Sequence, residues 1–280
     1  MYVCVLLRSV INGNFKLFSK GGDILRGKFL RFFAGKTLVP ILALSLGAVS
    51  AGKAQKYIEE REQTWLGFSS QSRFTDKSGL WVDLHLRFAD HYIREKTMFL
   101  SRLGYIYYIN DVMRLSGGYT YAHRYSQAGV RRLPEHRPWQ QIQWVSRKRR
   151  FELAQTTRVE QRFRKESVDG FRSEGYSFNW RLRYNIAFTI PITGKSLVPK
   201  TSYLFLSHEI NVNAGKNIVY NYFDQYRSVA GLGYQFNSKL HANVGHLFIF
   251  QQDPRERHFG HTHAIRLFVY YNFDFRAGGI

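Results

Sequence analysis

From Gln63 onward, apolar and polar residues alternate in segments of about ten residues that are separated by turn residues. In one of them, Leu182 and Tyr184 flank Arg183. A period of two places each set on its own face of a β-strand, and no helical period extends over a comparable length. The pattern predicts eleven strands, at 63–74, 80–90, 97–109, 112–125, 138–147, 151–164, 175–190, 201–214, 223–236, 240–251 and 262–275.

Two environments produce such an alternation. In a soluble sandwich or a lipocalin-like barrel the apolar face points inward, whereas in an outer-membrane barrel it faces lipid and the interior is polar. The predicted strands exceed the ~5–6 residues usual in soluble sheets and match the ~9–11 residues that cross a bilayer at a tilt. Strand length therefore favours the membrane barrel.

The connections and the aromatic residues favour the same class. Membrane barrels have short turns at one end, long loops at the other, and aromatic girdles near the strand ends. Aromatic residues gather at predicted strand ends, as at Tyr105, Tyr107 and Tyr108. The predicted connections are tight at 110–111, 148–150 and 237–239, long at 126–137, 165–174 and 252–261, and anomalous only at 191–200, which is long where a tight turn is expected.

Bacterial single-chain barrels have even strand numbers. A count of eleven therefore suggests one further strand, which we place partly in 54–62. The prediction is an all-β fold: a single antiparallel up-and-down transmembrane β-barrel of about 12 strands, with ten as the fallback, over residues 55–280.

Residues 1–54 have the pattern of an export signal. An apolar run at 37–51 follows Arg26, Lys28, Arg31 and Lys36, and small residues end it, so we predict a cleaved signal peptide with cleavage after residue 51 or 54. The long segment before the run suggests that translation begins near residue 25.

Composition narrows the chemistry further. The chain carries a net charge of +21, and its mean hydropathy is −0.34. Cleavage after residue 54 removes Cys4, the single cysteine, and with it any disulfide, thiolate nucleophile or cysteine-bound zinc. Basic residues at 147–150 could meet phosphates, but no nucleic-acid-binding motif is present, so we expect lipid phosphates rather than nucleic acid as their partner.

Several stretches together resemble one family. They are 158–163 (RVEQRF), 181–184 (RLRY), 209–213 (EINVN), 223–227 (FDQYR) and 231–234 (GLGY), in this order. The chain resembles the domain of unknown function 2490 family, exported bacterial proteins common in Bacteroidetes. The resemblance implies a Gram-negative outer-membrane barrel without an assigned activity, and it carries over no catalytic residues.

If the apolar face meets lipid, the opposite face supplies a charged lumen. Arginines and acids on this face can pair across a narrow barrel, so we predict an ion-pair network that fills the interior. Because arginine outnumbers acid there, a narrow, porin-like, anion-preferring channel is the alternative. Arg124 and Asp274 share this face. The predicted network comprises Asp83, His85, Arg87, Arg102, Arg114, Glu152, Arg158, Glu160, Arg162, Arg181, Arg183, Glu209, Arg227 and Arg266.

An outer-membrane lipid hydrolase with a Ser/His pair is the alternative from another class, because a serine and a histidine can act together as nucleophile and base. His85 shares a face with Asp83, and Ser101, Ser116 and Ser207 lie on other strands, but no Gly-x-Ser-x-Gly motif is present. We therefore predict no catalytic residues. His258, His261 and His263 cluster near the last loop, where we expect adventitious metal binding at most. No cofactor is predicted.

The sequence thus predicts an exported outer-membrane barrel, either a structural barrel or a narrow Arg-lined channel, with no established enzymatic activity. The expected partners are outer-membrane lipid, either lipopolysaccharide or phospholipid, and the barrel-insertion machinery. A soluble periplasmic barrel that binds an apolar ligand is the second alternative. The pattern does not predict the oligomeric state.

Overall fold

The computed structural model describes residues 56–89, 91–125, 132–148, 150–165, 167–168, 171–172, 175–194 and 196–276. The signal peptide predicted within 1–54 lies outside this part of the chain. No helix among the described residues is long and apolar enough to cross a bilayer. The strands are β1 (Tyr57–Arg73), β2 (Ser78–Ala89), β3 (Glu95–Tyr108), β4 (Met113–Tyr125), β5 (Arg132–Lys148), β6 (Phe151–Arg164), β7 (Ser167–Val168), β8 (Phe171–Arg172), β9 (Ser177–Pro191), β10 (Thr201–Ala214), β11 (Phe223–Gln235), β12 (Leu240–Gln252), β13 (His258–Tyr271) and β14 (Phe273–Asp274).

Eleven long strands form one closed barrel, which confirms the all-β class and each of the eleven predicted strands. Sequence neighbours pair antiparallel all the way from β1 to β13, with β6 next to β9 because the short β7 and β8 pair only with each other. The barrel closes where β13 pairs with β1 in parallel, from Tyr57 opposite His258 to Ser69 opposite Tyr270. Closure leaves the barrel without a free sheet edge.

The prediction of about 12 strands holds for the sheet only when the two-residue β14 is counted, because the closed barrel itself has eleven long strands. An odd number of up-and-down strands brings the first and last together in parallel, so closure needs no further strand in 54–62. The sheet gains only the two-residue β14, which extends the β13 side of the seam by pairing with Ser72 and Arg73 of β1.

The connections distinguish the two ends of the barrel. At one end, the turn end, four of the five connections span two to four residues, and at the opposite loop end the connections span five to twelve. Asn110 and Asn237 shape two of the tight turns, because each side-chain oxygen accepts hydrogen bonds from the backbone N–H groups two and three residues later. The connection 192–200 remains the long one at the turn end, as predicted.

The two faces of each strand differ sharply in polarity. On β9, Arg181 points inward and is 3% exposed, whereas the neighbouring Leu182 points outward and is 48% exposed. The outward positions of β2 show how apolar the outer face is: they hold Leu80, Val82, Leu84, Leu86 and Phe88. The apolar face is therefore outside and the charged face inside, opposite to a soluble barrel with an apolar interior.

Candidate functional site

The loop half of the interior is filled by a cluster of buried ion pairs. We call it the plug, and each of its six residues is at most 7% exposed. Buried charges of this kind are stable only when each is paired and hydrogen-bonded. The plug consists of Glu135, Arg137, Glu160, Arg162, Arg181 and Asp224.

Glu160 on β6 is the centre of the plug. Its Oε2 accepts hydrogen bonds from Nε and Nη2 of Arg181 at 2.9 and 2.5 Å, and its Oε1 accepts one from Nη1 of Arg183 at 2.8 Å. Arg158 adds a third cation, with Nη1 3.7 Å from Oε1. One carboxylate therefore holds three arginines from two neighbouring strands.

Glu135 and Asp224 complete the plug towards the loop end. Arg137 donates hydrogen bonds from Nε and Nη2 to Oε1 and Oε2 of Glu135, both at 2.8 Å. Nε of Arg162 donates to Oε1 of the same carboxylate at 2.6 Å. Asp224 lies between Arg181 at 3.1 Å and Arg162 at 3.6 Å. The chain of contacts from Glu135 through Arg162, Asp224 and Arg181 to Glu160 links β5, β6, β9 and β11 across the interior.

A second layer of charges forms the boundary between the plug and the turn half. Arg183 bridges Glu160 to Glu209, whose Oε2 accepts from its Nη2 at 2.6 Å, and Glu209 also pairs with Arg227 at 3.2 Å. On the facing wall, Asp83 pairs with Arg102, and His85 lies 2.9 Å from the same carboxylate. Arg183 contacts the plug through Glu160, and Asp83, His85, Glu209 and Arg227 line the space beyond it together with Arg183.

The turn half of the interior holds a cavity of about 990 Å³, which we call the vestibule. Its floor is formed by the boundary residues Asp83, Arg183, Glu209 and Arg227, and no residue of the plug lines it. Seven Lys or Arg and three Asp or Glu line it, together with a wall of aromatic and aliphatic side chains. The vestibule is therefore cationic and partly apolar, and its floor separates it from the loop end.

Two arginines of the vestibule are held by neutral partners. Nε of Arg114 donates to Oε1 of Gln143 at 2.7 Å. Arg266 donates to Oδ1 of Asn243 and to the hydroxyl of Tyr270, both at 2.8 Å. Neither forms an ion pair with a carboxylate of the described chain, whereas every arginine of the plug does.

All fourteen predicted network residues lie on inward-facing positions of the barrel, and they divide between several environments. Arg87 stacks on Trp65, 3.5 Å from the ring centroid, and forms no ion pair with an acid of the described residues. Glu152 pairs with Arg147 near the turn end, at 2.8 Å. The plug takes three of the fourteen, the vestibule wall takes Glu152, Arg158, Arg114 and Arg266, the boundary takes Asp83, His85, Arg102, Arg183, Glu209 and Arg227, and Arg87 lies beside Trp65.

Asp274 lies outside the network, although its parity suggested the lumen. It belongs to β14, beyond the end of the long strands, and is hydrogen-bonded to Arg276 at 2.8 and 2.6 Å. The hydrogen bond from Arg276 lowers the pKa of Asp274 to about 2. Arg276 also pairs with Asp76 at 3.1 Å, which ties β14 to the turn that follows β1.

Sequence reasoning missed half of the plug. Glu135 and Arg137 fall within the predicted loop 126–137, yet β5 begins at Arg132 and runs through the prolines at 134 and 138. The pairing between β5 and β6 is interrupted at 137–138, and the two strands pair on both sides of the interruption. Asp224 was missed for another reason: the β10–β11 register shifts at Asn211/Val212, and the shift leaves Asp224 without a partner in the ladder and turns it inward.

The candidate catalytic and metal-binding residues do not assemble into a site among the described residues. The hydroxyl of Ser207 accepts a hydrogen bond from Asn185, and Ser101 faces outward while Ser116 faces inward. No group of three metal-ligating side chains occurs in the described part of the chain. On the outer face, His261 contacts Glu60 at 2.8 Å and His263 contacts His246 at 3.2 Å.

Comparison with known proteins places the chain in a family. The model of the family described as "Protein of unknown function (DUF2490)" matches residues 62–259, and the chain belongs to this family. No curated protein and no solved structure matches the chain. The family match covers most of the barrel and confirms the resemblance found in the sequence.

Proposed function

We propose that this member of the DUF2490 family is an exported barrel of the Gram-negative outer membrane with an interior closed by the plug, a structural barrel rather than an open channel. The observation that carries the proposal is the pairing of an apolar outer face with a charged interior. In a bilayer, the outer face contacts hydrocarbon and the interior is shielded from it.

Polar side chains on the outer face support this location. They bond sideways to one another: Nδ1 of His208 lies 2.6 Å from the hydroxyl of Tyr226, and the hydroxyl of Tyr184 donates to Gln155 at 2.7 Å. In water such groups would be satisfied by solvent, whereas in hydrocarbon an unsatisfied group costs several kcal/mol. Lateral pairing is therefore the arrangement that lipid requires. The outer-membrane lipids are the partners that fit this surface.

The buried ion pairs favour a closed barrel over the channel alternative. A conducting pore needs a continuous polar path, and the plug residues, which cross the interior on four strands, are nearly inaccessible to solvent. The geometry around His85 likewise gives the hydrolase alternative little support, because its contact is with Asp83 and Ser207 is bonded to Asn185.

The first test is electrophoretic mobility of the unboiled protein from separated membrane fractions, followed by conductance in a planar bilayer. We expect an outer-membrane protein whose unboiled band migrates faster than the boiled one and which gives no steady ion current. Recovery in the soluble periplasm without a mobility shift would refute the membrane location. A steady, anion-selective current would refute the closed interior while leaving the location intact.

A further inference from the structure

We propose that the vestibule is a binding site for a single-chain amphiphile with an anionic head group, a carboxylate or a phosphate. The head group binds to Arg266, and the chain lies along the aromatic wall that β10, β12 and β13 contribute. This inference names a ligand and goes beyond the role of a closed membrane barrel.

Arg266 has the hydrogen-bonding capacity to receive an anion. A guanidinium group carries five N–H donors, and the contacts with Asn243 and Tyr270 occupy one on each terminal nitrogen. Both partners are neutral, so they orient the group without cancelling its charge. A carboxylate or phosphate would therefore gain charge-assisted hydrogen bonds to a guanidinium that is already positioned.

The other charges of the vestibule leave this positive field in place. Glu209 is shared between Arg183 and Arg227, Asp83 is held by Arg102 and His85, and the remaining acid, Glu152, by Arg147. Arg114 faces the same cavity from the β4 wall, with Gln143 as its neutral partner. A wall of low dielectric strengthens the attraction between such unneutralised cations and an anion.

The apolar lining argues for an amphiphile rather than a small inorganic anion. The Arg266 guanidinium lies 3.7 Å from the ring centroid of Phe268 and 5.7 Å from that of Phe205, and Tyr203 and Leu247 line the same wall. At about 990 Å³ the vestibule is at the upper end of the ~300–1,000 Å³ usual for sites of organic ligands. An inorganic phosphate would leave most of this apolar surface unused.

The mouth of the vestibule supplies further apolar contact. Leu197, Val198 and Pro199 of the connection 192–200 line the cavity, and Val198 remains 49% exposed. This is the long connection at an end where the other turns are short. Its length places apolar residues over the opening, where the tail of a bound amphiphile would emerge.

Tryptophan fluorescence offers a direct test, because the tryptophans divide between the two faces. Trp65 and Trp81 line the vestibule, whereas Trp144 and Trp180 lie on the outer face and would contact detergent. The purified full-length barrel carrying W144F and W180F, in a non-ionic detergent, is titrated with 9,10-dibromostearic acid as quencher. We expect saturable quenching of the interior tryptophans.

The Arg266→Gln variant should bind the brominated acid at least ~10-fold more weakly, because it loses a charge-assisted contact. The unchanged protein should bind the methyl ester of the same acid more weakly than the acid, by a similar factor. Arg276→Gln is the matched control: it removes one positive charge at the same end, at a residue that does not line the vestibule, and should bind normally. Arg114→Gln, on another wall, provides a second variant if Arg266→Gln lacks the fast-migrating folded band.

Three outcomes would overturn the proposal: quenching that does not saturate, equal binding of acid and methyl ester, or equal loss in Arg276→Gln. Displacement of the brominated acid by equimolar inorganic phosphate would also overturn it, since the site would then be one for a simple anion. The measurement uses purified protein in detergent, so it does not depend on the cellular location. Its failure is therefore distinguishable from a failure of the proposed membrane role.

Discussion

The plug and the vestibule occupy the two halves of one barrel, share strands β5, β6, β9 and β11, and both contain arginines and carboxylates, yet one is closed and the other open. In the plug, three carboxylates and three arginines are matched and linked by ion pairs. In the vestibule, cations outnumber acids seven to three, and glutamine, asparagine and tyrosine are the partners of Arg114 and Arg266 in place of carboxylates. Charge balance, rather than charge density, separates the two regions.

The difference has a physical basis. A carboxylate between two guanidinium groups offsets their mutual repulsion and lets them pack without water, so a balanced cluster fills space. Unbalanced arginines repel one another and keep their hydration, so they line a cavity instead. The structure therefore leads us to expect that removing one acid will disturb the plug far more than the vestibule.

The largest effect is expected for Glu160→Gln. The substitution keeps the shape of the side chain but leaves Arg181, Arg183 and Arg158 without their shared carboxylate. Breaking a buried pair in this way costs about 3–5 kcal/mol. The free energy of unfolding, measured by urea titration of the barrel in lipid vesicles, should fall by about this amount.

Glu152→Gln is the matched control in the vestibule. The partner of Glu152, Arg147, is 66% exposed, and exposed pairs contribute about 0–1 kcal/mol. We expect its unfolding midpoint to stay close to that of the parent protein. Equal destabilisation by the two variants would show that the contrast between a balanced plug and an open vestibule is mistaken.

A second prediction concerns the tryptophans at the border of the two regions. Trp81 lines the vestibule and packs edge-on against Trp139, with ring centroids 5.4 Å apart, and Trp139 is 1% exposed. A Cβ added at Gly104 would lie 2.6 Å from the Trp139 ring. Gly104→Ala should therefore force this ring to move and lower the free energy of unfolding by about 1–3 kcal/mol.

Gly117→Ala is the matched control on the neighbouring strand, because its added Cβ would meet nothing closer than 3.5 Å. The same urea titration should show little change for it. If Gly104→Ala were as stable as Gly117→Ala, the Trp139 ring would have to be free to move. The side chains at the border between the regions would then not be tightly packed.

The sequence alone predicted the strands and their polarity well, because both depend on a period of two that local residues determine. Arg181 and Leu182 could be assigned to opposite faces without any knowledge of their neighbours. The odd number of long strands was not predicted because closure is not local: whether β1 meets β13 in parallel depends on the whole circuit, and no residue in either strand signals it.

The interior was only partly predictable for a similar reason. Parity identified Glu160 and Arg181, but pairing depends on register, and the shift at Asn211/Val212 that turns Asp224 inward leaves no signal in the alternation. The division into plug and vestibule also escaped prediction. It depends on which residues of neighbouring strands lie side by side at each level along the barrel axis. A list of lumen residues does not contain this information.

The smallest expected effect lies beyond both regions, at the turn end. Asp274 has its pKa lowered to about 2 from an ordinary 3.8 by the hydrogen bond from Arg276. A lowered pKa means that the ionised form stabilises the folded state, that this contribution is complete above about pH 4, and that it disappears as the pH falls through about 2. Asp274 is exposed and Arg276 is partly exposed, so solvent screens the pair. Asp274→Asn should therefore lower the unfolding midpoint only slightly at pH 7, and the difference from the parent protein should vanish between about pH 4 and pH 2. A difference that persists at pH 2 would mean that Asp274 anchors β14 to β1 by something other than its charge.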